Sequence, residues 1–208
     1  ATAGTGTHTI TYDYTDANGC FASTTTDITV NPLPTIDAGV DQEICEGDNV
    51  TLTANNPDGA NISWDNAVND GVAFTPAVGT ITYTVTADLA GCIATDQVDV
   101  TVNPLPIFNL APSNPTTCGG TDGTITISGL DPNTNYDITY DDNGNPIGPN
   151  TSMSDATGTI TITGLAAGSY SNVLVANTTS GCSTQDNQAF NLVDPNAPPV
   201  DAGPDQQV

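Results

Sequence analysis

Five cysteines, one histidine and 24 acidic side chains are the groups in this 208-residue sequence equipped for chemistry, and no lysine or arginine accompanies them. Thiolates that hold a metal stand at CxxC-like spacing, whereas Cys20, Cys45, Cys92, Cys118 and Cys182 lie far apart. Oxidation to disulfides is the chemistry left to them, and it belongs to an oxidising compartment. Cys45 sits just before the first long strand pattern of its segment and Cys92 at its final hairpin turn, while Cys118 and Cys182 occupy matching places in the next segment. The expected bridges are Cys45–Cys92 and Cys118–Cys182, each worth roughly 4 kcal/mol in the chain-entropy model. Cys20 matches Cys92, so its partner is expected upstream of residue 1.

Calcium is the ligand with most physical force behind it, because hard cations take carboxylate oxygens and this chain has no cationic side chains of its own. Asp37 and Asp41 recur as Asp201 and Asp205, each pair straddling an Ala-Gly. In a straight strand residues four apart stand about 13 Å from each other, so one ion bridges such a pair only where Gly39 or Gly203 bends the chain, with Asp88 a further candidate ligand. Plain solvated acids are the competing reading, since no EF-hand spacing is present. Asp141-Asp142-Asn143-Gly144-Asn145 has its glycine placed for a turn rather than a calcium loop.

Catalysis finds little to work with. His8 lies in a strand pattern with no base or nucleophile beside it in sequence, so a solvated or packed ring is expected rather than a general base. Gly119-Gly120-Thr121-Asp122-Gly123 lacks the lysine and following helix of a phosphate loop and reads as a turn. Trp64, in the third strand pattern of its segment, is expected in the core rather than as a sugar-stacking platform. The hydroxyl row Thr80, Thr82, Thr84 and Thr86 is expected to be a solvated strand face, because twisted sheets make a poor flat lattice for ice.

A formal charge of −24 with no basic side chain excludes binding to phosphate backbones, which are held by Lys and Arg, and attraction to anionic membrane surfaces. Lys/Asp and Arg/Glu ion pairs are impossible, so the acids must stay solvated, accept hydrogen bonds or take cations from the medium. Trypsin-like proteases find no cleavage site. No run of about 18 apolar residues suggests a membrane span.

These groups are carried by a repeated unit. Thr80 to Thr86 alternate apolar and hydroxyl residues, Gly91-Cys92 turns the chain, and Val98 to Val102 lead into Asn103-Pro104-Leu105-Pro106. Ile10-Thr11-Tyr12, Asn18-Gly19-Cys20, Asp27 to Val30 and Asn31-Pro32-Leu33-Pro34 repeat the plan. Period-two alternation across a tight turn predicts an antiparallel hairpin, with Ile10, Tyr12 and Tyr14 facing inward. Two prolines fix φ and force their predecessors extended, which predicts a short, stiff joint. The fold expected is all-β: tandem Ig-like β-sandwich domains joined by short Pro-containing linkers. Residues 1–34 read as the closing half of a domain, 35–106 as a complete one, 107–195 as a second module with its own loop plan, and 196–208 as the first strand of a further repeat. Strand patterns in 35–106 also cover Val50 to Ala54, Ile62 to Trp64 and Val72 to Phe74. In 107–195 they cover Thr124 to Ser128, Tyr136 to Tyr140, Thr159 to Thr163, Tyr170 to Ala176 and Gln188 to Val193, with a hairpin turn at Asp142-Asn143-Gly144.

Asp37-Ala38-Gly39-Val40-Asp41-Gln42-Glu43-Ile44-Cys45, Gly71-Val72-Ala73-Phe74-Thr75-Pro76 and Val102-Asn103-Pro104-Leu105-Pro106 resemble the PKD/Ig-like repeats of giant Bacteroidetes surface adhesins. Residues 118–182 resemble the SprB-type repeat of gliding-motility adhesins through Cys118-Gly119-Gly120-Thr121-Asp122-Gly123-Thr124-Ile125, Ile162-Thr163-Gly164-Leu165 and Gly181-Cys182. The resemblance implies export by the type IX secretion system, display on the outer cell surface, and a stalk that spaces a distal binding tip from the cell. No enzymatic activity is expected. Its partners would be neighbouring repeats of the same chain and, through regions outside this sequence, a surface polysaccharide or other extracellular ligand. Two other functions compete. A carbohydrate-binding array would need aromatics aligned on one face, and a self-assembling filament subunit would complete its half-domains by strand addition between chains.

Overall fold

The computed structural model describes residues 3–195. Every regular element among them is a β-strand. The chain divides into two compact units, Ala1–Val102 and Asn103–Val208.

The first unit opens with a two-stranded antiparallel hairpin, β1 (Gly6–Thr15) and β2 (Phe21–Val30), paired without interruption from Gly6↔Val30 to Thr15↔Phe21. β3 (Gln42–Cys45), β4 (Asn61–Trp64), β5 (Gly79–Leu89) and β6 (Cys92–Asn103) then form one sheet in the order β3-β6-β5-β4. The β5–β6 hairpin runs in unbroken register from Gly79↔Val102 to Leu89↔Cys92. Its alternation is the one read in the sequence: Tyr83, Val85, Ala87, Val98, Val100 and Val102 are buried. The hydroxyl row faces out, where Thr82 donates to Asp99 Oδ1 at 2.6 Å and Thr80 meets Thr101 at 2.9 Å.

The layer opposite this sheet is held differently from the expectation. Val50 and Leu52 are buried, but Val50 to Ala54 and Val72 to Phe74 meet only in the isolated bridge Val50↔Phe74 instead of forming strands, and a second bridge, Asp37↔Asn55, follows Ala54. The Ala54 N–H donates to the Asp70 carboxylate at 2.8 Å and the Gly71 N–H to the Leu52 carbonyl at 2.8 Å. Backbone groups that a ladder would pair are thus met singly, by a side chain and a loop.

The second unit is a two-sheet sandwich. β7 (Asn109–Ser113), β8 (Gly123–Ser128) and β11 (Thr159–Leu165) make a sheet in the order β11-β8-β7. β9 (Asn135–Asp142), β10 (Asn145–Met153), β12 (Gly168–Asn177), β13 (Ser183–Asp186) and β14 (Phe190–Leu192) make the other, in the order β10-β9-β12-β13 with β14 also pairing β12. Ile125, Ile127, Tyr136, Ile138, Val173 and Val175 fill the space between them. Asn143 and Gly144 both have positive φ, 49° and 79°, the geometry of the expected Asn-Gly hairpin turn.

Ile10, Tyr12 and Tyr14 are exposed, not inward. They share a face with Ile28, through the pairs Ile10↔Thr26, Tyr12↔Thr24, Tyr14↔Ala22 and His8↔Ile28. Thr26 and Ile28 match Val98 and Val100 of the repeat, so this is the face that Leu52, Trp64 and their neighbours cover on β5–β6. Among the described residues no second layer packs on it. Residues 196–208, expected to begin a further repeat, lie outside the described residues.

Candidate functional site

The cysteines depart from the expected pairing. Cys45 and Cys182 are disulfide-bonded, while Cys20, Cys92 and Cys118 are free. The physical reason is distance. Ala38 N–H donates to Asp96 Oδ2 and Asp99 N–H to Asp41 Oδ1, so residue numbers rise together and β3 runs parallel to β6. Four residues beyond Asp41, Cys45 comes level with Asn103, whereas Cys92 begins β6 at its other end. The 12-residue strand sets them roughly 35 Å apart, against about 5.5–6 Å between Cα atoms for a disulfide.

The second unit repeats this separation. Cys118 donates to the Pro195 carbonyl at 3.1 Å and the next residue, Gly119, to Asp194 at 3.2 Å, beside the end of β14, which pairs with the start of β12. Cys182 accepts at its carbonyl from Asn177 N–H, at the far end of β12. Ten residues of strand hold Cys118 and Cys182 roughly 30 Å apart.

Asp37 and Asp41 each accept a backbone N–H. Asp37 Oδ1 accepts from the Gly39 N–H at 2.9 Å and Asp41 Oδ1 from the Asp99 N–H at 2.9 Å. Asp88 caps the Gly91 N–H in the β5–β6 turn, also at 2.9 Å. Asp201 and Asp205 lie outside the described residues. Among the described residues no group of three His, Cys, Asp or Glu side chains is placed to hold a metal ion.

The acids serve instead as acceptors for the backbone and for hydroxyls, a role that composition allowed but sequence reading did not locate. Asp16 Oδ1 takes the N–H groups of Asn18 and Cys20 at 2.9 and 2.8 Å. Asp155 Oδ1 takes those of Thr157 and Thr159 at 2.8 and 2.9 Å. The two turns, Asp16-Ala17-Asn18-Gly19-Cys20 and Asp155-Ala156-Thr157-Gly158-Thr159, share the pattern Asp-Ala-x-Gly, and that pattern was the available signal. Hydrogen bonding to the ionised form lowers a carboxyl pKa. Asp16 is held below the ordinary aspartate range chiefly by the Cys20 N–H, Asp155 by the Thr157 hydroxyl and then the Thr159 N–H, and Asp122 by the Thr116 hydroxyl and N–H.

Trp64 packs in the core and donates its indole N–H to Asp70 Oδ1 at 2.9 Å. Burial pushes the phenols of Tyr83, Tyr136, Tyr140 and Tyr170 up. The His8 ring nitrogen Nε2 lies 2.7 Å from the Gly4 carbonyl. The Gly119-Gly120 run is a turn, with Gly120 N–H on the Thr117 carbonyl at 2.9 Å and Thr116 on Asp122. Tyr12 and Tyr14 line a shallow recess with Ala22, Ser23 and Thr24 on the open hairpin face.

No family profile and no curated protein matches this sequence. Its fold is similar to solved arrays of immunoglobulin domains. The N-terminal eight Ig domains of Down syndrome cell adhesion molecule align over 89% of this chain at 17% identity and a TM-score of 0.52. The match takes in 35% of that chain. The titin I-band fragment I67–I69 aligns over 78% of this chain and 66% of its own, at 15% identity and a TM-score of 0.47. Domains 3–5 of Drosophila OTK align over 90% of this chain and 71% of theirs, at 12% identity and a TM-score of 0.43. The chain is a tandem of Ig-like β-sandwich domains.

Proposed function

We propose that this chain is a spacer segment of a secreted, cell-surface repeat adhesin, holding a distal binding tip away from the cell. The recurring unit carries the reading. A long uninterrupted hairpin, a Gly-Cys turn and an Asn-Pro-Leu-Pro joint occur at residues 6–34 and again at 79–106. A chain that repeats one domain plan through stiff joints is suited to transmit distance and tension. The resemblance to gliding-motility-type adhesins suggests type IX export, and the oxidised cysteines fit an oxidising space outside the cytoplasm. Uniform negative charge discourages adjacent repeats from sticking to one another. Proteinase treatment of intact source cells tests this reading. Antibody against this chain should detect a polypeptide that intact cells lose on treatment; one lost only after lysis would overturn it.

A second reading is favoured by the exposed face of Ile10, Tyr12, Tyr14 and Ile28: a self-assembling subunit whose open hairpin is covered by strands of another chain. Sedimentation of the isolated chain separates the two. Concentration-dependent association abolished by Tyr12→Asp supports assembly between chains, and a monomer at all concentrations supports the spacer.

A further inference from the structure

Sheet edges invite pairing with other chains, and natural sheets blunt them with short strands, charges or proline. Most edges of this chain are blunted in these ways. β3 and β4 are four residues long and β14 three. β7 contains Pro112, β10 contains Pro146 and Pro149, and β13 ends on Asp186. The hairpin strands β1 and β2 carry Asp13 and Asp27. β11, Thr159-Ile160-Thr161-Ile162-Thr163-Gly164-Leu165, is different: it forms an edge of its sheet with neither proline nor acid.

The direction of its backbone groups follows from its neighbours. Along an antiparallel ladder, successive residues turn their N–H and C=O together to one side and then to the other. Ile125 of β8 stands between Pro112 of β7 and Ile162 of β11. Pro112 has no N–H to give, so Ile125 bonds toward Ile162, and by alternation Ile127 bonds toward Ile160. Thr159, Thr161 and Thr163 therefore turn to the open side. Thr159 agrees with this phase: its N–H donates to Asp155 Oδ1 and its carbonyl accepts the Asp155 N–H, both at 2.9 Å. The groups of Thr159 are thus taken by its own turn. Those of Thr161 and Thr163, both exposed, meet no further strand among the described residues.

Two observations select a second copy of this chain as the occupant. Thr161-Ile162-Thr163 reads the same in both directions, so antiparallel pairing centred on Ile162 sets Thr161 opposite Thr163 of the other copy and is two-fold symmetric. It uses the backbone groups left open and leaves the Asp155–Thr159 bonds intact. Ile162, which packs against the core, then meets Ile162 of the other copy on the inner face, and threonine meets threonine on the outer face, both favourable cross-strand pairs. The second observation is charge. Copies of a chain with 24 acids and no Lys or Arg repel each other, and its longest run without an acid, residues 156–185, contains β11.

We propose that β11 pairs antiparallel with β11 of a second copy, each Thr161–Thr163 pair exchanging both N–H···O bonds. The two sheets then join in the order β7-β8-β11-β11-β8-β7. Growth stops there, because both new edges are β7 with its proline. So short a seam makes a transient contact, formed where chains stand crowded side by side. The pairing rests on the second unit alone and holds whatever the chain adheres to.

Amide hydrogen exchange tests the pairing on the 208-residue chain, its free thiols alkylated beforehand so that no disulfide links copies. The Thr161 and Thr163 amides should exchange as open amides at micromolar concentration and slow severalfold at millimolar, while those of Ile160 and Ile162 stay protected at both. The slowing should be larger in about 0.1 M sodium chloride than in about 0.01 M, because salt screens the repulsion between copies. Thr163→Pro removes no ladder bond within the chain and should abolish the slowing at Thr161, whereas Tyr12→Asp, on the open hairpin, should leave it intact. Rates at Thr161 and Thr163 that do not depend on concentration overturn the proposal, and this comparison in the parent chain decides even where the proline variant fails to fold. Protection already present at micromolar concentration overturns it too, since the edge would then be covered within one chain. Slowing that Tyr12→Asp removes also overturns it and assigns the association to the hairpin.

Discussion

The Asp41 carboxylate accepts the backbone N–H of Asp99 at 2.9 Å, and with the Ala38 N–H on Asp96 at 2.8 Å it aligns the segment around the edge strand β3 along β6. Asp99 in turn accepts the Thr82 hydroxyl, so the contact continues into β5. Replacing Asp41 by Ala leaves the Asp99 N–H to water and should cost about 1 kcal/mol. Amide exchange at Asp99 should quicken while Tyr83 and Val85, deeper in the β5–β6 ladder, stay protected. Unchanged exchange at Asp99 would show that the edge strand is held by other means.

Salt should stabilise this protein. With 24 acids and no Lys or Arg, there are no Lys or Arg ion pairs to weaken, only repulsion to screen, and the Debye length shrinks from about 30 Å at 0.01 M to about 10 Å at 0.1 M. The melting temperature should rise across that range in sodium chloride. Millimolar calcium at equal ionic strength should give no larger rise, because Asp37 and Asp41 are each turned onto a different backbone N–H. A calcium-specific increment would mean that a cation site forms.

Acid should loosen the Asp-Ala-x-Gly turns. The Asp155 pKa is lowered in the folded protein, so its contribution to stability is present above the unfolded value, near pH 4, and is lost as pH falls through the folded value. Asp155→Asn should therefore be less stable than the parent at pH 7, with the gap constant down to about pH 5 and narrowing below pH 4. Denaturant titrations of both proteins measure it, and a gap unchanged at pH 2.5 would contradict the assignment.

Gly158 is required by both conformation and space. Its φ is +74°, and a Cβ there would lie 2.0 Å from the Leu130 carbonyl oxygen, while the Gly158 carbonyl accepts the Leu130 N–H at 3.1 Å. Gly158→Ala should cost more than about 2 kcal/mol, since backbone must move. Gly144 has φ +79° with open space around it, so Gly144→Ala should cost only the left-handed penalty of about 1 kcal/mol. Equal losses in chemical denaturation would remove the steric half of this account.

Strands at the centre of each sheet were legible, and the edges much less so. β5, β8 and β9 carry apolar residues at every second position, β6 does so from Val98 onward, and β12 does so on either side of a bulge, because one face of each is buried. β3, β7, β10 and β13 were missed, and each is an edge. Pro112 in β7 and Pro146 and Pro149 in β10 break the strand signal, as edges permit, and β13, Ser183–Asp186, is wholly polar. Trp64 was placed correctly because a tryptophan in the third strand of a sandwich packs inward, as it does here against residues far away in sequence. The cysteine pairing was not: sequence position says which turn a thiol sits on, but only the parallel β3–β6 register shows which end of the sheet that turn occupies. For Ile10, Tyr12 and Tyr14, alternation identified the face without telling whether anything covers it.

The central claim is that these domains are repeats in a long surface stalk, and the intact mass of the native polypeptide carrying this sequence tests it most directly. Measured from source cells under reducing, denaturing conditions, it should be many times the 21.1 kDa of this chain. A mass near 21.1 kDa would contradict the stalk and leave the open β1–β2 face to be covered by another molecule.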